Sequence, residues 1–258
     1  MLIDCNVHLG RWPFRRLPIE DVETLLRAMD QEGIDRALVA PMESVFLRDG
    51  QQGNETLHAA TSPHADRLGL VACLRPNAPG AVGDLKRCRE QWGFVGLKLH
   101  PTYHDCPLGD PTTQTLVAEA DELGMFVSVS MRMEDNRFQT SVGTVPEVAV
   151  SEVIAFLEAW PSARLLIANV GRGEYLPLAK SEAFRNGAVF VEHSELDGPY
   201  DPVRDLIDGV GADHVVFGSH TALRVTHRAV VDFDAAGLTP GERTAMGEAN
   251  ALRLLGEA

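Results

Sequence analysis

Short apolar runs with a two-residue period alternate along this chain with longer amphipathic stretches of helical period. The runs Leu2–His8, Arg36–Pro41, Leu68–Leu74, Phe94–His100, Met125–Met131, Arg164–Asn169, Ala188–His193 and His214–Ser219 predict strands. Between them, IEDVETLLRAMDQEG ends at Gly33, TTQTLVAEADELG ends at Gly124 and SEVIAFLEAW stops at Pro161. Glycine or proline just past an amphipathic run is a helix stop signal. Strictly alternating units imply parallel strands joined by right-handed crossovers. Eight of them predict an α/β fold of the (β/α)8 TIM-barrel type. The rival, a doubly wound sheet, advertises a glycine-rich phosphate turn after its first strand. Here that strand runs into HLGRWPFRR instead. THRAVVDFDAAG and TPGERTAMGEANALRLLG predict two further helices packed outside the barrel, in one domain spanning residues 1–258.

Composition narrows the partners. The 258 residues are 45% hydrophobic and 23% charged, with a formal charge of −14. That balance argues against nucleic acid or an anionic membrane as main partner, while a pocket of opposite local sign still suits a small anion. Cys5, Cys73, Cys88 and Cys106 show neither paired nor finger-like spacing. A cytoplasmic location without disulfides or a structural zinc is therefore expected. No leader pattern and no run of about 18 apolar residues is present. The sequence is silent on assembly, and a homo-oligomer is compatible with it.

Alternation assigns the polar residues to strand faces. In GLKLHP, Lys98 and His100 share a face, and a lysine inside an apolar strand is costly unless something requires it. The first strand places Asp4, Asn6 and His8 opposite Ile3, Cys5 and Val7. The fifth contributes Ser128, Ser130 and Arg132, the sixth Ile167 and Asn169, and the eighth Gly218 and His220. In the seventh, Glu192 and His193 face opposite ways, and alternation does not say which enters the mouth. His58, His64, His214 and His227 read as ordinary hydrogen-bonding histidines. The strand-end set is different, because burying such polar groups together requires mutual pairing or a ligand. Lys98, Arg132, Arg137 and the loop arginines Arg11, Arg15 and Arg16 add local positive charge suited to a carboxylate. Glu134, Asp135, Tyr103 and His104 belong to the same predicted rim.

IDCNVHLG, GLKLHP, LLIANVG, VVFGSH and NALRLLG, in this order, resemble the amidohydrolase superfamily, specifically its amidohydrolase-related TIM-barrel hydrolases. The resemblance implies a metal site built from an HxH pair, histidines on the fifth and sixth strands, and an aspartate after FGS. Carried over by position, those ligands fall on Asn6, His8, Ser130, Asn169 and His220, so that His8 alone keeps the family residue. The resemblance thus implies a divergent member, and its neighbouring activity, decarboxylation, usually leans on the metal.

Two functions of different class stay open. The first is hydrolysis, as amide or lactone opening, of a small carboxylate-bearing substrate without an obligatory metal. Its expected catalytic residues are His220, as base, with His100 and Glu134. Asn6, Lys98, Arg132, Asn169, Arg11 and Tyr103 are expected to bind substrate. The cofactor is then none, or one divalent metal on His8 and His220, with zinc first choice for imidazole donors. The second is a catalytically inactive barrel that binds a metabolite or a partner protein. Exchange of polar groups for other polar groups, rather than for apolar ones, favours the enzyme.

Overall fold

The computed structural model describes residues 1–135, 137, 139, 144–198 and 201–257; Ala258, the last residue of the expected domain, lies outside the described residues. Seven strands form one parallel sheet in sequence order: β1 (Ile3–Leu9), β2 (Arg36–Pro41), β3 (Leu68–Cys73), β4 (Gly96–Leu99), β5 (Phe126–Ser130), β6 (Leu165–Ala168) and β7 (Val189–Val191). The predicted eighth strand does not form a full ladder. Residues 215–221 instead span from β7 to β1 through two isolated bridges, Val191 to Val215 and Val7 to Thr221. Val216 N donates to Val191 O and Cys5 N to Phe217 O, each at 2.9 Å. The fold is the (β/α)8 barrel, with its eighth stave held by these few bonds rather than by a continuous ladder.

Local chemistry sets the crossovers. The helix Val22–Glu32 starts where the Asp21 carboxylate accepts from Thr24 N and stops at Gly33, which takes the left-handed conformation (φ 69°). Its buried face carries Leu25 and Met29. Helix Pro111–Glu122 begins with proline in its first turn, capped by Asp110. β4 ends before His100, ahead of Pro101, which has no N–H to extend a ladder.

Outward strand residues such as Val39, Leu97, Val127, Ile167 and Phe217 pack with the helices. Inward ones, including Leu38, Val71, Phe126, Leu166, Phe190 and Val216, form a separate core inside the barrel. One of the predicted C-terminal helices lies beneath that core rather than beside the barrel. Ala251 and Leu254 of helix Asn250–Leu255 join the interior cluster, and Asn250 Nδ2 donates to Ala212 O (2.8 Å) and Val215 O (2.7 Å) at a strand start. With one end plugged, the polar groups gather at the other. Among the described residues no helix is long and apolar enough to cross a membrane.

At Gly96 the strand leaves no room for a side chain: an added Cβ would stand 2.5 Å from two Phe126 ring carbons. Gly96→Ala is expected to destabilise the fold by about 1–3 kcal/mol through overpacking. Urea unfolding measures it, and an unchanged midpoint would show that the ring has room to move.

Candidate active site

The polar groups form two layers. The lower begins with Lys98, whose ammonium donates to Asn6 Oδ1 at 2.7 Å. Asn6 Nδ2 in turn donates to Asn169 Oδ1 (2.6 Å) and Glu192 Oε1 (3.0 Å). Glu192 also accepts from the backbone N–H groups of Asn169 and Ser194, both at 2.6 Å. Asn169 Nδ2 reaches Ser130 Oγ at 2.9 Å. Burial pushes Lys98 down to about 8 against the opposing pull of Glu192. To one side, Asp4 accepts from Ser219 N and Oγ and from Asn6 N, and burial raises it to about 7.

The backbone that delivers these groups departs from plain alternation. Ile3 and Cys5 belong to the interior core, and a register shift between Asp4 and Val7 then turns Asn6 and His8 inward. On β6 the inward residues are Leu166 and Ala168, while Ile167 faces the helices. Asn169 enters the site because its backbone is left-handed (φ 62°), a region asparagine tolerates. The seventh strand is also resolved: Glu192 points inward, whereas His193 Nε2 meets Ala229 O at 3.1 Å on the outside. Gly218 makes that inward turn possible, since a Cβ there would lie 2.8 Å from Glu192 Cβ and Cγ.

The upper layer is imidazole. The His8 ring lies 5.5 Å from that of His220 and 5.8 Å from that of His100, centroid to centroid. All three are 2% exposed or less, and both nitrogens of His8 and of His100 and the Nε2 of His220 have no partner among the described residues. Burial, reinforced by the nearby positive charge of Lys98, pushes His8 and His100 well below the ordinary imidazole range, so both are neutral. His220 differs in having an orienting partner: its Nδ1 is 3.0 Å from Glu195 Oε1. Because an ionised carboxylate only accepts, the proton belongs on Nδ1 and Nε2 carries the lone pair. Burial opposes the charge on Glu195, but hydrogen bonds from His220 and Arg224 outweigh it and hold the carboxyl down at about 2.

Above the imidazoles, Trp12, Met42, Met133, Ala222 and Leu223 form an apolar cover. A cavity of about 250 Å³ opens beside it, lined by Arg15, Met133, Glu134, Leu223, Arg224 and Arg228. Glu134 is paired with Arg15 at 3.1 Å, and burial raises its carboxyl above the usual range.

The structure therefore brings together Asn6, His8, Lys98, His100, Asn169 and His220, with Glu134 at the rim. Three expected substrate contacts border the site or lie outside it, with partners of their own. Arg132 is committed to internal partners, Glu147 (2.9 Å), Asn169 O (2.7 Å) and Glu174, which satisfy its guanidinium fork. Tyr103 packs edge-on against Phe46 and Trp12 at ring distances of 5.7 and 6.4 Å. Arg11 has a side chain 84% exposed and stands 3.9 Å from Glu20.

The sequence model of the amidohydrolase family matches residues 3–256. The chain belongs to that family. No functionally curated sequence matches it. Solved structures share the fold of this amidohydrolase-family chain at low identity. The 5-carboxyvanillate decarboxylase of Novosphingobium aromaticivorans, complexed with manganese and 4-hydroxy-3-methoxy-5-nitrobenzoic acid, superposes with a TM-score of 0.79 at 14% identity, covering 99% of this chain and 96% of that one. The 2,6-dihydroxybenzoate decarboxylase from Rhizobium gives 0.75 at 16%, covering 99% and 98%. A probable 2-pyrone-4,6-dicarboxylic acid hydrolase from Acinetobacter baumannii, with citric acid bound, gives 0.67 at 14%, covering 99% of both.

Sequence reasoning missed Glu195 as partner of His220. Its only signal was a second acid two residues past His193 in VEHSE, a spacing with no fixed meaning until the backbone is placed.

Proposed function

We propose that this chain is a hydrolase that opens a lactone or amide in a small carboxylate-bearing substrate, with His220 as general base. The observation that carries this reading is the His220–Glu195 pair, one ring nitrogen tied to a carboxylate and the other buried without a partner among the described residues, in a ring 5.5 Å from that of His8. That is the arrangement an oriented imidazole base requires. Nε2 takes a proton from water as the water oxygen bonds to the carbonyl carbon. The carbon–oxygen or carbon–nitrogen bond then breaks, and the leaving group takes the proton back from the imidazolium. Neutral His8 and His100 each retain one N–H, which serves as donor to the developing oxyanion. Arg15 and Arg224 line the rim cavity, each already paired with an acid (Glu134 and Glu195), and a substrate carboxylate would compete for them.

Manganese in a structural neighbour raises the question of a metal here. Among the described residues no group of three His, Cys, Asp or Glu side chains is arranged to hold one. The amide oxygens of Asn6 and Asn169 are already taken by Lys98 and by each other's network. The amide layer does not fit a divalent ion; the lone pairs still open to one are those of His8, His100 and His220, and no step is routed through it.

A second reading, decarboxylation of an aromatic acid, is favoured by the decarboxylases among the structural neighbours. Purified protein offered panels of lactones, amides and hydroxybenzoates, with base uptake at constant pH and released carbon dioxide followed together, separates the readings. Ring opening unaffected by a chelator is the expected result. Carbon dioxide release without hydrolysis would replace the proposal with the second reading, and binding without turnover would leave a metabolite-binding barrel.

A further inference from the structure

The lower layer has a composition that the reaction above does not use. An ammonium, a carboxylate and two primary amides are all at least 97% buried, and each amide is engaged by its neighbours. Lys98 donates to Asn6, Asn6 donates to Glu192 and Asn169, and Asn169 donates to Ser130. Glu192 Oε1 accepts from Asn6 Nδ2, Asn169 N and Ser194 Oγ, and Oε2 from Ser194 N. The carboxylate thus has donors on both oxygens, and the cation is held by an oriented amide dipole. The two charges belong to one connected network bridged by Asn6.

We propose that this network is a self-contained charge centre, in which the Lys98 ammonium stands at the barrel floor in the role of a divalent cation and Glu192 is its counter-charge. The chemistry excludes the alternative at this spot. A divalent ion requires oxygens or nitrogens with free lone pairs, and here those lone pairs are occupied by N–H and O–H donors. Bringing an ion in would also place it against an ammonium in a medium of low polarisability, where like charges repel strongly. The residues that bar an ion from the floor are the same ones that hold the fixed charge there. Every buried polar atom of the bridge already has a partner, so removing one charge strands the other.

The inference concerns the floor and not the substrate, so failure to find a turnover leaves it standing. Two measurements on the full chain test it. First, purified protein dialysed against Mn2+ or Zn2+ should retain less than about a tenth of an equivalent, and neither ion should shift the melting temperature. One equivalent retained, with the melting temperature falling on chelation, would overturn the proposal. Second, Lys98→Met and Glu192→Gln should each lower the melting temperature by roughly 10 °C, and the double variant should lose no more than either single one. Additive losses would show that the two charges do not act as one unit. Should either single variant fail to fold, recovery of folding in the double variant supports the coupling and continued failure overturns it.

Discussion

Replacing His220 with alanine should reduce kcat for ring opening by about 10³-fold or more while leaving the circular-dichroism spectrum and melting temperature close to wild type. The loss is large because Nε2 is the one lone pair in the imidazole layer whose orientation is set by a carboxylate. The fold should tolerate the change, since Glu195 keeps its ion pair with Arg224 and His220 makes no other side-chain hydrogen bond in the site. His8→Ala should likewise abolish activity, by removing an oxyanion donor from the same layer. Glu195→Gln separates positioning from chemistry. A glutamine can turn its NH2 toward Nδ1, which moves the ring proton to Nε2 and removes the base. The variant should therefore lose kcat rather than substrate affinity, and its pH–rate profile should shift, which mere loss of packing would not produce. Unchanged rates in both His8→Ala and His220→Ala would remove the proposed roles.

The barrel and most of its polar mouth were readable because both rest on periodicity. Apolar alternation places Leu97 and Leu99 outward and Lys98 and His100 inward, and nothing in the local backbone disturbs that strand. Reading failed where the backbone leaves its period. The register shift in β1 and the left-handed residues Asn169 and His220 redirect side chains by conformations that a face count does not contain. Asn169 reached the right place for a reason other than the one alternation supplies. Arginine fared worst, because charge alone predicts a clamp for an anion, yet a guanidinium is satisfied by whichever acids the fold brings near. Glu147 and Glu174, fifteen and forty-two residues away, claim Arg132. Glu195 was hidden for the same reason, its meaning depending on a histidine twenty-five residues later.

Acidification should unfold this protein unusually early, beginning near the ordinary imidazole pKa rather than in the carboxylate range. His8, His100, His104 and His193 are all lowered in the folded state, His104 to about 4, in each case chiefly because burial disfavours the charged ring. In the unfolded chain they titrate near 6.5. Between these limits the unfolded state binds more protons, so stability falls as pH falls through 6.5. Asp4 works against them. Its folded carboxyl is raised to about 7 from 3.8, so across that window the folded state holds the extra proton and stability gains on acidification. The lowered histidines outnumber the one aspartate, so the unfolded state binds more protons between roughly pH 6 and 5, and each proton of net difference is worth about 1.4 kcal/mol per pH unit. A single unit is then a large share of an ordinary stability of about 5–15 kcal/mol. Urea midpoints at pH 7.5, 6.5, 5.5 and 5 measure the slope. Asp4→Asn should steepen it by about one proton, because the opposing titration is gone, and should stabilise the protein at pH 8, where the buried charge is otherwise present. His104→Asn should flatten it by one. A stability that stays level from pH 7 to pH 5, or a slope indifferent to Asp4→Asn, would mean that these side chains are not held as buried, separately titrating groups.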